Sequence, residues 1–84
     1  MLVNIKVENM RDAEQLSYIC NQFPYEIFLR ANKFCADPKS TLGVLAMMYN
    51  DKDNLIMDTG DMPDNIIKEF SAKLTPFTVA EEAE

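Results

Sequence analysis

The stretch ADPKSTLGVL, residues 36–45, decides how this chain folds. Asp37-Pro38 breaks any strand that reaches it, because proline has no N–H and pushes the preceding residue away from helical geometry. Ser40 or Thr41 then offers a side-chain oxygen to cap a helix, and the apolar run LGVLAMMY carries that helix onward. Within it, Leu42, Leu45 and Tyr49 share one face at steps of three and four, with Val44 and Met48 beside them. A strand end, a turn and a helix start lie within ten residues.

Toward the N-terminus, YEIFLR alternates, with Tyr25, Ile27 and Leu29 on one side, and Ala31 and Asn32 turn it into a short strand over 33–36. Before it, DAEQLSYICNQF changes period. Leu16, Ile19, Cys20 and Phe23 fall on one helical face while Glu14, Gln15 and Asn21 point elsewhere. Asp12 is the expected cap, with Gln15 at the capping-box spacing, and Pro24 stops the helix. The first residues, LVNIKV, set Val3, Ile5 and Val7 against Asn4 and Lys6, the pattern of a half-buried strand.

Toward the C-terminus, DKDN is a turn and LIM leads a fourth strand that ends near 58–60. Asp61 or Pro63 opens a last helix with Ile66, Ile67, Phe70 and Leu74 as its buried stripe, until Pro76. The order is β-α-β-β-α-β-α. Each half-buried strand needs a cover on one side only, so the expectation is an α+β two-layer domain with three helices on one face of the sheet. The domain is expected over 1–76, with 77–84, ending in EEAE, as an acidic tail.

The bulk numbers exclude several functions. The chain has 84 residues, 48% of them apolar, enough for one small core. Its net charge of -6, from 14 acidic and 8 basic residues scattered without a cluster, opposes phosphate backbones and anionic lipid. Neither nucleic acid nor membrane is an expected partner. With no histidine and only Cys20 and Cys35, no zinc constellation can be assembled. The two cysteines read as buried free thiols of a reducing compartment. The start MLVNIK is neither a signal peptide nor a span, so a cytoplasmic location is expected. The acidic turns NDKDN and TGDMPD lack the spacing of a calcium loop and read as solvated turns. No nucleophile with a base and no glycine-rich loop is present; the expectation is a protein without catalysis, metal or cofactor.

The element order and the run Lys39-Ser40-Thr41-Leu42-Gly43-Val44-Leu45 resemble the histidine-containing phosphocarrier protein (HPr) family of the bacterial sugar phosphotransferase system. The resemblance covers about Leu2 to about Leu74. It implies an open-faced sandwich whose antiparallel sheet has the order 1-4-2-3. Ser40 falls where many members of the family in Gram-positive bacteria carry a regulatory serine, phosphorylated by a bifunctional kinase/phosphorylase. The family's phosphorylation loop, Gly-Leu-His-Ala-Arg-Pro-Ala, matches Met10-Arg11-Asp12-Ala13-Glu14-Gln15-Leu16 only at the alanine. Asp12 stands in the place of the phosphoryl-accepting histidine, and Glu14 in that of the arginine that holds the phosphoryl group.

A phosphorelay needs a nucleophile and donors that take up developing charge. Glu14 instead repels a dianion, so the phosphocarrier role is closed to this chain. The resemblance leaves a regulatory or adaptor protein that docks partners, an HPr kinase/phosphorylase or a regulator, through the first and second helices. Lys39, Val44, Met47 and Met48 are the expected docking residues, methionine being adaptable at such surfaces, and Ser40 the expected switch. The alternative is a structural or assembly module, as a homodimer, that keeps the fold without phosphorylation.

Overall fold

The structure, a computed structural model, describes residues 1–79, with Lys52 described by its backbone only. Four strands, β1 (Leu2–Ile5), β2 (Phe28–Ala31), β3 (Phe34–Ala36) and β4 (Leu55–Asp58), form one antiparallel sheet in the order β1-β4-β2-β3. Three helices, α1 (Met10–Asn21), α2 (Thr41–Asp51) and α3 (Asp64–Leu74), complete the β-α-β-β-α-β-α order. This is the α+β open-faced sandwich with the 1-4-2-3 sheet.

Register places the side chains. Val3 pairs with Met57 and Ile5 with Leu55, while Leu29 pairs with both Met57 and Ala36. Directly opposed residues share a face, so these form the helix-covered layer, and Ile5, Leu29, Leu55 and Met57 are fully buried there. Their neighbours Leu2, Asn4, Ile56, Asp58, Phe28, Arg30 and Cys35 alternate onto the open face. On that face the Arg30 guanidinium lies 5.4 Å from the Phe28 ring centroid and its Nε donates to Asp58 Oδ2 at 2.9 Å. The Gly60 N–H bond to Asp58 Oδ1, together with Arg30, holds the Asp58 carboxyl below its ordinary range.

The first helix supplies Ala13, Leu16, Cys20 and, just past its end, Phe23 to the core. Phe23 meets Phe70 of α3 edge to face, with ring centroids 5.0 Å apart. Its cap is Asn9, one turn earlier than the expected Asp12: Asn9 Oδ1 accepts from Asp12 N–H at 2.8 Å. Asp12 answers by accepting from Glu8 N–H at 3.1 Å. The cap is shifted by three residues, because Asn and Asp both cap well and composition alone does not choose between them, and the return bond reaches Glu8 N–H rather than the Asn9 N–H that would close a capping box.

Two turns take a defined form. Ala31 pairs with Phe34, so the β2–β3 hairpin closes through two residues, and Asn32 takes the left-handed conformation, φ 52°. The acidic stretch after α2, expected as a turn, is a single 3-10 turn over Lys52–Asn54. Asp51 organises it, accepting from Asn54 Nδ2 at 2.8 Å and also from Asn32 Nδ2, which ties the hairpin tip to the end of α2.

The domain also runs further than 76. Phe77 is buried, its carbonyl accepts from Lys6 N–H at 2.8 Å, and Val79 N–H donates to Asn4 O at 3.1 Å. With the Ile5–Thr78 bridge, residues 77–79 lie along the outer edge of β1. The expected boundary at 76 therefore moves to include 77–79, because the end of a helix at a proline does not mark the end of a domain. The rest of the expected acidic tail, residues 80–84, lies outside the described residues.

Candidate docking face around Ser40

Ser40 sits at the N-terminus of α2 with its Oγ accepting from Gly43 N–H at 3.2 Å, while its carbonyl takes the first helical bond from Val44 N–H at 3.0 Å. It is therefore a helix cap, and its side chain is exposed. Asp37 builds the approach: its carbonyl accepts from Ser40 N–H at 3.0 Å and its Oδ1 from Lys39 N–H at 2.9 Å. Pro38 is fully buried in this turn.

Gly43 faces the turn. A Cβ there would stand 3.0 Å from the Asp37 carbonyl oxygen, so this side of the helix lies directly against the turn. Val44, Met47 and Met48 turn into the core at 0%, 3% and 8% exposure. They are core residues and not docking residues, and the expected docking set is corrected on this point. The outward stripe is Leu42, Ala46 and Tyr49, at i, i+4 and i+7, with Leu42 78% and Tyr49 81% exposed, while Leu45 is partly buried against the core. Spacing alone admits either stripe, since α2 carries apolar residues all round and no charge before Asp51 to mark its wet side. Lys39 is half-buried by its position in the turn.

Sequence reading passed over the clamp that joins this turn to α1. Ser17, buried, donates from Oγ to the Lys39 carbonyl at 2.8 Å, and Asn21 Nδ2 donates to the same oxygen at 2.9 Å and to Ser17 O at 2.9 Å. A helical serine flanked by apolar positions was the available signal, since a buried hydroxyl requires a partner. Tyr18, next to Ser17, is 69% exposed on α1. The clamp thus fixes the Ser40 turn against the helix that displays Tyr18.

The other expected positions lie at the opposite end of α1. Asp12 is half-buried and engaged in the cap, and Glu14 is exposed one residue beyond Ala13. The cysteines separate. Cys20 is buried, and burial pushes its thiol up to about 12, whereas Cys35 is exposed on β3, which corrects the expectation that both are buried. Cys35 and Lys39 border an open cavity of about 650 Å³ between the entry to β2 and the exit of β3. Among the described residues no three metal-ligating side chains converge. Among the described residues no helix is long and apolar enough to cross a membrane.

Comparisons with protein-family models, with curated proteins and with solved structures find no match to this chain.

Proposed function

We propose that this chain is a non-enzymatic, HPr-like adaptor of the cytoplasm that docks partner proteins through the α1–α2 face, with Ser40 as its phosphorylation switch. The observation that carries the reading is the pairing of an exposed cap serine with an uncovered apolar stripe, Leu42 to Tyr49, on the helix it caps. A phosphate on Ser40 gains from the unpaired first-turn N–H groups and the helix dipole. It also sets about -1.5 to -2 of charge beside Leu42, enough to reverse the preference of an apolar partner. Asp12 and Glu14 supply no phosphoryl-accepting nitrogen, so the serine is the phosphorylation point that the reading retains.

Intact mass after incubation with ATP, magnesium and a Gram-positive HPr kinase/phosphorylase tests it. One added phosphate, absent from Ser40→Ala, is the expected result. An unmodified mass on folded protein removes the switch and leaves the serine as a cap.

A further inference from the structure

We infer that β3 is a self-association edge, through which two copies of this chain join their sheets antiparallel across a two-fold axis at Cys35. The two edges of the sheet are treated differently. Residues 77–79 cover β1 through the Lys6–Phe77 and Asn4–Val79 backbone bonds and the Ile5–Thr78 bridge. Among the described residues nothing pairs with the outer side of β3. A row of unpaired backbone groups is a template for another strand.

The register fixes which groups are available. A two-residue hairpin closes on a hydrogen-bonded pair, here Ala31 and Phe34, so the next pair, Arg30 and Cys35, is non-hydrogen-bonded. The Cys35 N–H and C=O therefore point away from β2, into the free edge. Placed opposite its own copy, Cys35 exchanges both bonds with Cys35 of the second copy. A residue k positions after Cys35 then faces one k positions before it.

Charge selects this pairing. Just outside the three strand residues, Lys33 in the hairpin turn and Asp37 after β3 fall beside Asp37 and Lys33 of the second copy, so one symmetric contact brings two opposite-charge pairs together. Lys33 is exposed and enters neither of the ion pairs found among the described residues, Lys6–Glu8 and Arg30–Asp58. Asp37 uses only Oδ1 in its own turn. Phe34, 51% exposed, meets Ala36 of the second copy and loses water from its ring. Five residues a side is far below the roughly 20–30 of a standard interface, so the dimer is weak and exchanges readily.

The thiols give the test. Opposed strands bring the two Cys35 Cα atoms to about 5.5 Å, inside the range of about 4.4–6.8 Å that a disulfide spans. Diamide on the folded protein accepts the two electrons and two protons released as the S–S bond forms, and itself becomes the hydrazine. The expected product is a covalent dimer linked Cys35 to Cys35 by peptide mapping, absent in Cys35→Ser, with Cys20 still a free thiol. Chance collision through an exposed thiol is separated by charge. Lys33→Glu is expected to slow dimer formation roughly tenfold at low salt, and Lys33→Glu with Asp37→Lys to restore it. Because Asp37→Lys also removes a turn bond, an equimolar mixture of Lys33→Glu with Asp37→Lys serves as a second measurement, cross-linking preferentially as the heterodimer. A dimer rate indifferent to Lys33→Glu, or random mixing, overturns the β3 edge as the interface.

Discussion

At the residue scale the two cysteines differ because of where each Cβ points. Cys20 lies on the inward stripe of α1, one turn past Leu16, while Cys35 alternates onto the open face at the sheet edge. Brief treatment with iodoacetamide, read by mass, is expected to add one group at Cys35 and none at Cys20 until denaturant is present. Burial also couples Cys20 to alkaline stability. Its folded pKa is raised from 9.0 to about 12, so the unfolded chain loses that proton first. The contribution is intact below the unfolded value and is lost progressively as pH rises from there toward 12. Denaturation midpoints of the wild type are thus expected to fall over that interval, and those of Cys20→Ala to fall less.

At the element scale, α2 carries both the candidate site and the largest departure from expectation. Strands with alternating patterns, such as YEIFLR and LVNIKV, announce their buried side because each has a polar neighbour to contrast with it. The second helix has none. Leu42/Leu45/Tyr49 and Val44/Met47/Met48 are both valid helical stripes, and the packing of α2 against α1, β2 and β3 makes the second the core. That packing is tertiary and leaves no trace in spacing. The cap at Ser40, by contrast, was legible, as were the hairpin turn at Asn32 and the whole element order. The distinction is measurable: Met47→Ala is expected to cost about 2–5 kcal/mol, whereas Leu42→Ala stays within about 0.5 kcal/mol, by urea denaturation. Near-equal costs would return the two stripes to ambiguity.

At the scale of the whole molecule, one face of the sheet is roofed by helices and the other lies open. The clamp from Ser17 and Asn21 to the Lys39 carbonyl joins α1, which exposes Tyr18, to the turn that starts α2, which exposes Leu42 and Tyr49, so the two helices brace each other. The β3 edge lies at the end of the sheet away from β1, and association there adds strands without using the α1–α2 stripe. A protein built in this way can pair with itself and still present its helices. The 1-4-2-3 sheet order came from the family resemblance and not from alternation, because strand patterns state which side is buried and not which strand lies beside which.

The three residues 77–79 along β1 have a consequence for assembly. With one edge sealed and one available, two copies use up their joining surfaces on each other and growth stops at a pair, a closed symmetric arrangement. A chain ending after Phe77 keeps that buried ring but gives up the Ile5–Thr78 bridge and the Val79 bond to Asn4. Such a chain carries a joining surface at each end of its sheet, and nothing in the geometry then terminates the series. Light scattering on the shortened protein is expected to show size growing with concentration toward ribbons, where the full chain levels off at the dimer. The short C-terminal strap thus sets how far the sheet can be extended.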